Sequence, residues 1–152
     1  MVYPVITLYQ PWATWIMRGW KSIETRTHNR FACLKGKTIL IHAGQKTDDS
    51  DAAVFNPYLT YGQIIYNPDD FVNGFILGQA FVKDSSILNS SHSNKALIDC
   101  GNTIRYGLFL TDVLPYPQPI PVKGDMGIWY YDLDTRQKVK KNLPQASLFP
   151  LT

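Results

Sequence analysis

Turn-forming residues are spread along the whole chain, and they constrain its fold more than any other feature of the sequence. The 152 residues include 10 glycines and 10 prolines, which separate short runs of apolar and β-branched residues. Frequent turns between short apolar runs favour a sheet protein and argue against a helical bundle. The length is that of one domain, and it is sufficient to bury a hydrophobic core.

Six of the apolar runs are predicted to be strands, because they are rich in β-branched and aromatic residues and lie between turn signals. The predicted strands are Val5–Leu8, Ile23–Thr27, Lys37–Ala43, Phe75–Val82, Tyr106–Val113 and Gly127–Tyr131. A helix is predicted between Pro11 and Gly19, since proline suits a first helical turn and glycine a helix end. A second helix is predicted within residues 47–59. The sequence therefore predicts a mainly-β α+β fold, a small β-barrel flanked by short helices.

Three segments are predicted to lack regular structure. Residues 60–73 are rich in Asn, Asp and Pro and are predicted to form a long loop. Residues 84–102 are polar and are predicted to be an exposed excursion from the sheet. Residues 114–124 contain four prolines and must run extended.

The composition excludes several classes of protein. Hydrophobic residues make up 45% of the chain and charged residues 18%, which is the balance of a folded protein. Two cysteines and three scattered histidines do not give the spacing of a metal site, so no metal is predicted. No glycine-rich nucleotide motif is present, so no cofactor is predicted. The sequence has no run of eighteen apolar residues and no signal-peptide pattern, so we expect a cytoplasmic protein that does not bind membranes.

Positive charge is concentrated in the first third of the chain. Residues 1–46 contain seven Lys or Arg and one acid, a formal charge of +6, whereas residues 47–152 have a charge of −3. Such an asymmetry is typical of a positive face that meets phosphate groups, or of an ordinary solvated surface. Four further positive charges lie within residues 136–141.

A charged motif follows the predicted early helix. The helix opens with Gln10-Pro11-Trp12-Ala13, and the chain continues as Gly19-x-Lys21-x-x-Glu24-x-Arg26. Both segments resemble the signature of the ASCH family, the activating signal cointegrator homology domains. Three later segments also resemble that family: Ile39–Ala43 ending in His-Ala, the strand that contains Gly78, and Pro121–Gly124 followed by Gly127-Ile128-Trp129.

The resemblance implies a PUA-like barrel with a cleft that binds RNA, single-stranded nucleic acid, or a nucleoside or nucleotide. It implies one domain over residues 1–152, with a core over about residues 5–132 and a basic tail over residues 135–152. Some members of the family resemble ribonucleases, and others resemble amidohydrolases that act on acetylated cytidine. The amidohydrolase branch has threonine at the position of Glu24 and a glutamate on a later helix. Glu24 is the only glutamate of this chain, so an aspartate such as Asp99 would have to take that role.

The residues of the motif suit such a cleft chemically. Glu24 and Arg26 share one strand face by the period of two, and Lys21 lies just before that strand. Arg26 is suited to a phosphate or a base edge, and Lys21 to a phosphate or, if desolvated, to base or nucleophile chemistry. Glu24 is suited to orienting Lys21 or to proton transfer. The alternative is a purely structural ion pair that holds the strand in place.

Five further residues are candidates for ligand contacts. Trp12 is suited to stacking on a base or to the core, and His42 to the core or to the cleft. Arg105 and Tyr106 offer a charge next to a stacking ring, and Lys123 precedes a glycine near the predicted last strand. Two functional hypotheses result: a module that binds RNA or a nucleotide, and a hydrolase on RNA or a modified nucleoside with Lys21 and Glu24 as its catalytic pair. The sequence does not fix the oligomeric state.

Overall fold

The strands of the protein form one mixed sheet. The computed structural model describes residues 1–59 and 71–140. In these residues the strands are β1 (Val2–Gln10), β2 (Ile23–Arg26), β3 (Thr38–Thr47), β4 (Phe75–Ile87), β5 (Tyr106–Pro121), β6 (Trp129–Asp132) and β7 (Gln137–Val139). Three short helices accompany them: α1 (Trp12–Met17), α2 (Asp51–Val54) and α3 (Ser93–Ala96). The predicted mainly-β α+β fold is confirmed.

The sheet has the strand order β2-β5-β4-β3-β1-β6-β7. β1 and β3 are parallel, and the other neighbouring strands are antiparallel. The prediction of a barrel is met only in part, because no hydrogen-bonded ladder of the described residues joins β2 to β7. Closure requires such a ladder around the whole barrel, and both end strands are short. Register shifts within β1, β3 and β4 bend the sheet without closing it.

Both faces of the central strands are buried. On one face Ile6, Ile39 and Ile41 form a hydrophobic core that α1 covers through Ile16. On the other face Val5 and Leu40 pack with Trp129 and Tyr131 of β6. Alternate residues of each strand supply the two faces, because side chains point to opposite sides of a strand in turn. The second face leads directly to the candidate site described below.

The segment predicted as an exposed excursion is partly buried, so that prediction is wrong. β4 runs through Asp84–Ile87, which pair with the start of β5, and a turn of 3-10 helix leads into α3. Ala96 is fully buried and Cys100 nearly so. The polar residues of the segment satisfy their own backbone: Asn89 caps the helical turn, and the Ser93 hydroxyl accepts from the Cys100 amide. The polar side chains of this segment therefore bind its own backbone. The apolar residues between them pack on Ile23 of β2.

Other loop predictions have different outcomes. The proline-rich segment is extended as predicted, although most of it belongs to β5. Gly19, the predicted helix stop, has φ +78°, the left-handed conformation that suits glycine. Most of the predicted loop at 60–73 and the end of the basic tail, 141–152, lie outside the described residues. Within the described part of the chain, none of the helices is long and apolar enough to cross a membrane.

Candidate functional site

A cleft of about 660 Å³ opens where β1, β2 and β3 end. Its walls come mainly from five parts of the chain: residues 7–12, the Lys21–Arg26 segment, residues 28–31, residues 42–52 and the loop at 123–127; Ile98 also lines it. Six of the eight sequence-predicted site residues line it: Trp12, Lys21, Glu24, Arg26, His42 and Lys123. The fold thus gathers residues that are up to 111 positions apart in the sequence.

The three charged residues of the motif form one chain of ion pairs. The Lys21 Nζ atom lies 3.8 Å from Glu24 Oε1, and Arg26 Nη2 lies 3.1 Å from Glu24 Oε2. The Lys21 and Glu24 side chains are only 2% and 7% exposed. Burying such charges is costly unless they are paired, so Glu24 compensates two cations at once. Glu24 faces the same side of β2 as Arg26, as the sequence predicts.

Lys21 is held at the closed end of the cleft. Its ammonium donates a hydrogen bond to the Ala96 carbonyl of α3 and lies 5.1 Å from the centre of the Trp12 ring. Burial lowers the pKa of Lys21 to about 8, against the opposing effect of Glu24. A substantial fraction of neutral amine is therefore present at slightly alkaline pH.

Arg26 lies nearer the open part of the cleft. Its guanidinium packs 4.8 Å from the centre of the Phe31 ring and donates a hydrogen bond of 3.3 Å to the Thr7 carbonyl. The Arg26 Nε atom is buried and has no hydrogen-bond partner among the described residues. A buried donor without a partner carries a desolvation cost that a ligand acceptor would remove.

Trp12 connects the ion pairs to a second carboxylate. Its indole Nε1 donates a hydrogen bond of 2.8 Å to Asp48 Oδ2, just after β3. Burial acts to raise the pKa of Asp48, but hydrogen bonds from Ser50 and Trp12 outweigh it and lower that pKa. The Trp12 ring also meets Trp15 edge to face, with centroids 5.2 Å apart. The indole is therefore fixed in orientation and only half-buried.

His42 is a structural residue that borders the cleft. Its Nε2 lies 2.7 Å from the Val122 carbonyl, which can only accept, so Nε2 carries the proton. Its Nδ1 then accepts from the Thr7 hydroxyl at 3.2 Å, and the same hydroxyl accepts from Trp129 Nε1 at 3.0 Å. Burial lowers the pKa of His42, which favours this neutral form. Every polar atom of the His42–Thr7–Trp129 network has a partner.

The loop at 123–127 forms the outer wall and rests on this network. A Cβ atom at Gly124 would lie 2.6 Å from both His42 Cε1 and Thr7 Oγ1, so only glycine allows this approach. Lys138 of β7 binds the loop from outside, with Nζ 2.9 Å from the Lys123 carbonyl and 2.8 Å from Asp125 Oδ2. The described part of the basic tail thus has a structural role at the cleft.

Two predicted contact residues do not line the cleft. Arg105 donates from Nε to the Asp99 carbonyl at 3.1 Å, which ties the end of the α3 segment together. Tyr106 pairs with Arg26 in the β2–β5 ladder and lies outside the cleft lining. Because β5 starts at Tyr106, Arg105 lies just before the strand and Tyr106 is its first residue.

Sequence reasoning missed several residues of the cleft. The additional lining residues include Thr7, Tyr9, Arg30, Phe31, Asp48 and Met126. Of these, Asp48 has a sequence signal, since it follows a predicted strand just after the basic residues 1–46. Met126 is 92% exposed at the cleft rim, a position for which the sequence gives no pattern.

Comparison with known proteins bears on the fold. No family model matches the sequence, and no curated protein matches it. The structure is similar to the crystal structure of ASCH from Zymomonas mobilis, with a TM-score of 0.52, 17% sequence identity, and coverage of 78% of this chain and 73% of that chain. The chain has the ASCH-domain fold. The resemblance predicted from the sequence is thereby confirmed at the level of the fold.

Two mutants of the same Zymomonas mobilis protein are also similar to this structure. Both have a TM-score of 0.50 and 17% identity; they cover 78% and 79% of this chain, and this chain covers 75% and 74% of theirs. At this level of identity the ASCH likeness describes the arrangement of the backbone. The chemistry of this cleft has to be argued from its own residues.

Proposed function

We propose that the cleft binds one nucleotide unit, either as a free nucleotide or within single-stranded RNA. The observation that carries this proposal is the position of the Trp12 indole beside the Glu24–Arg26 ion pair in a cleft of about 660 Å³. Sites for small organic ligands have volumes of roughly 300–1,000 Å³ and combine apolar walls with a few convergent polar groups. A nucleotide unit matches that size and that mixture.

The aromatic residues of the cleft suit the flat face of a base. Trp12 is fixed by its hydrogen bond to Asp48, and Tyr9 and Phe31 are further aromatic rings of the lining. Stacking on an aromatic ring contributes about 1–3 kcal/mol per base. Because every base has such a face, this contact gives affinity without choosing a sequence.

The Glu24–Arg26 pair suits the polar edge of the base. A carboxylate has about four lone-pair sites, so Glu24 retains acceptor capacity beyond its two cations. It is matched to an exocyclic amine, and the guanidinium of Arg26 is matched to a carbonyl or ring nitrogen. The Arg26 side chain lines the cleft and is 26% exposed, so part of it is open to such a contact.

Paired tryptophan substitutions test the proposal. We expect Trp12→Leu to weaken binding of a fluorescent single-stranded RNA about tenfold, the effect of roughly 1.4 kcal/mol of lost stacking. Trp20→Leu is the matched control, because Trp20 packs in the neighbouring cluster with Trp15 but does not line the cleft. Affinity in the parent is expected to fall as salt rises, since bound phosphates release counterions. Equal affinities of the two variants, with matching thermal melts, would contradict the proposal.

A hydrolase is the second candidate, and the pKa of Lys21 is the observation that favours it. With a pKa of about 8, Lys21 is partly neutral near physiological pH and suited to act as a base or nucleophile, with Glu24 beside it. A screen for cleavage of RNA and for deacetylation of acetylated cytidine tests this candidate. Turnover that disappears in Lys21→Met supports it, and binding without turnover supports the binding module.

A further inference from the structure

Two cations of the cleft lining have side chains without a partner. Arg30 and Lys123 are both exposed, and neither side chain forms a hydrogen bond or ion pair with another residue in 1–59 or 71–140. Arg30 comes from the turn after β2, and Lys123 from the loop before β6. Two separate walls of the cleft therefore each present a free positive charge.

The carboxylates of the lining are already engaged elsewhere. Glu24 is shared between Lys21 and Arg26. Asp48 accepts from Trp12 and from the Ser50 amide, and Asp125 is paired with Lys138. The lining thus contains four Lys or Arg side chains against three carboxylates, and its two exposed cations form no ion pair within the described residues.

We propose that Arg30 and Lys123 form a phosphate-binding subsite at the mouth of the cleft, so that the cleft prefers a nucleotide to the corresponding nucleoside. This inference rests on the proposed function, because it assumes that a base occupies the interior beside Trp12. Arginine provides a planar fork that matches phosphate oxygens, and lysine provides a compact charge.

The interior of the cleft is unsuitable for the phosphate. A phosphate placed there would meet the Glu24 carboxylate in a nearly dry environment, where repulsion between like charges is strong. Lys21 and Arg26 both pair with Glu24, so the three groups carry one net positive charge, but the Lys21 side chain is only 2% exposed and is too deeply buried for direct contact with a phosphate. The neutral base edge therefore fits the interior, and the anionic group fits the mouth.

Both cations stand on backbone that is held in place. The Arg30 amide donates a hydrogen bond of 3.1 Å to His28 Nδ1. The Lys123 carbonyl accepts from Lys138 at 2.9 Å, and the next residue, Gly124, is seated on His42. A subsite whose backbone is fixed before binding loses less entropy when the ligand arrives.

Calorimetric titration of the four ribonucleosides and their 5′- and 3′-monophosphates tests the inference. For the parent we expect the preferred monophosphate to bind about tenfold more tightly than its nucleoside, the effect of one or two charge-assisted hydrogen bonds. Arg30→Gln and Lys123→Gln should each reduce this preference, and the double variant should abolish it. Nucleoside affinity should stay within about twofold of the parent. Arg18→Gln and Lys83→Gln are the matched controls, because both residues are exposed and lie outside the cleft lining.

The possible outcomes separate this inference from the proposed function. Equal affinity of the parent for nucleoside and monophosphate would refute the subsite and leave base binding intact. Equal losses for both ligands in the Arg30 and Lys123 variants would also refute it, since the effect would not be specific to phosphate. If neither ligand class nor single-stranded RNA binds, the proposed function fails and the subsite with it.

Discussion

Replacing Lys21 with methionine should remove a pH-dependent part of the free energy of unfolding. The folded protein holds this ammonium at 2% exposure, with Glu24 and the Ala96 carbonyl as partners. In the unfolded chain the same group is fully hydrated. Its pKa is about 8 in the folded state against an ordinary value of 10.5. Methionine has a similar length and no charge, so the variant isolates the titration.

The sign and size of the effect follow from proton linkage. Between pH 8 and pH 10.5 the unfolded state binds more protons at this site than the folded state, so stability rises with pH. This contribution to stability is complete above the pKa that Lys21 has in the unfolded chain. It is lost as the pH falls through the pKa that Lys21 has in the folded protein. At about 1.36 kcal/mol per pKa unit the full difference is about 3 kcal/mol, of which roughly 2–3 kcal/mol develops between pH 7 and pH 10.

Urea unfolding of the parent and Lys21→Met at pH 7 and pH 10 measures this difference. Between pH 7 and pH 10 we expect the free energy of unfolding of the parent to rise by roughly 2–3 kcal/mol relative to that of the variant. Burial raises the pKa of Tyr116 to about 12 and that of Tyr131, but these effects are common to both proteins and cancel. Lys83→Met, at an exposed position, is the control substitution. If the parent and Lys21→Met differ by the same amount at both pH values, the buried-lysine reasoning is refuted.

Two further substitutions test the contacts around the cleft. Glu24→Ala should lower the free energy of unfolding by about 3 kcal/mol, because it leaves buried cations uncompensated. Asp84→Ala breaks an exposed ion pair and should lower it much less. Thermal and urea unfolding compare the two variants. Gly124→Ala should displace the outer loop, since the new Cβ would lie 2.6 Å from the His42 ring. We expect the free energy of unfolding to fall by about 1–3 kcal/mol and RNA binding to weaken. Gly101→Ala, which lies outside the cleft lining, is its control and should leave RNA binding unchanged. Similar binding by both glycine variants would contradict the proposed seating of the loop.

Local sequence patterns predicted the first residue of three strands but not how far the strands run. Ile23, Phe75 and Tyr106 are the first residues of β2, β4 and β5 both in the prediction and in the structure. β4, however, continues to Ile87 through polar residues, because its backbone pairs with the start of β5. The extent of a strand depends on its partner, and a hydrophobic pattern carries no information about polar residues that extend a ladder.

The candidate site was predictable where it is local and not where it is assembled from distant segments. Lys21, Glu24 and Arg26 lie within six residues, so period-two geometry placed two of them on one face and the third beside it. The Trp12–Asp48 hydrogen bond spans 36 positions, and the Lys21–Ala96 contact spans 75. Contacts of that separation depend on the packing of whole elements, which a single sequence without its fold does not reveal.

The protonation state of Lys21 distinguishes the two candidate functions, because they require opposite forms of the same amine. The binding module uses the ammonium, which holds Glu24 in position beside the base and adds to the positive charge of the cleft, so affinity for adenosine monophosphate should fall as the pH rises through about 8. A hydrolase that uses Lys21 as a base requires the neutral amine, so its rate should rise over the same interval. Adenosine monophosphate is a suitable probe since neither its base nor its phosphate titrates there, and Lys21→Met should remove either dependence. An affinity that is independent of pH from 7 to 9 would show that the Lys21 charge does not act on the ligand, and would leave Arg26 and the cations at the mouth as the groups that hold it.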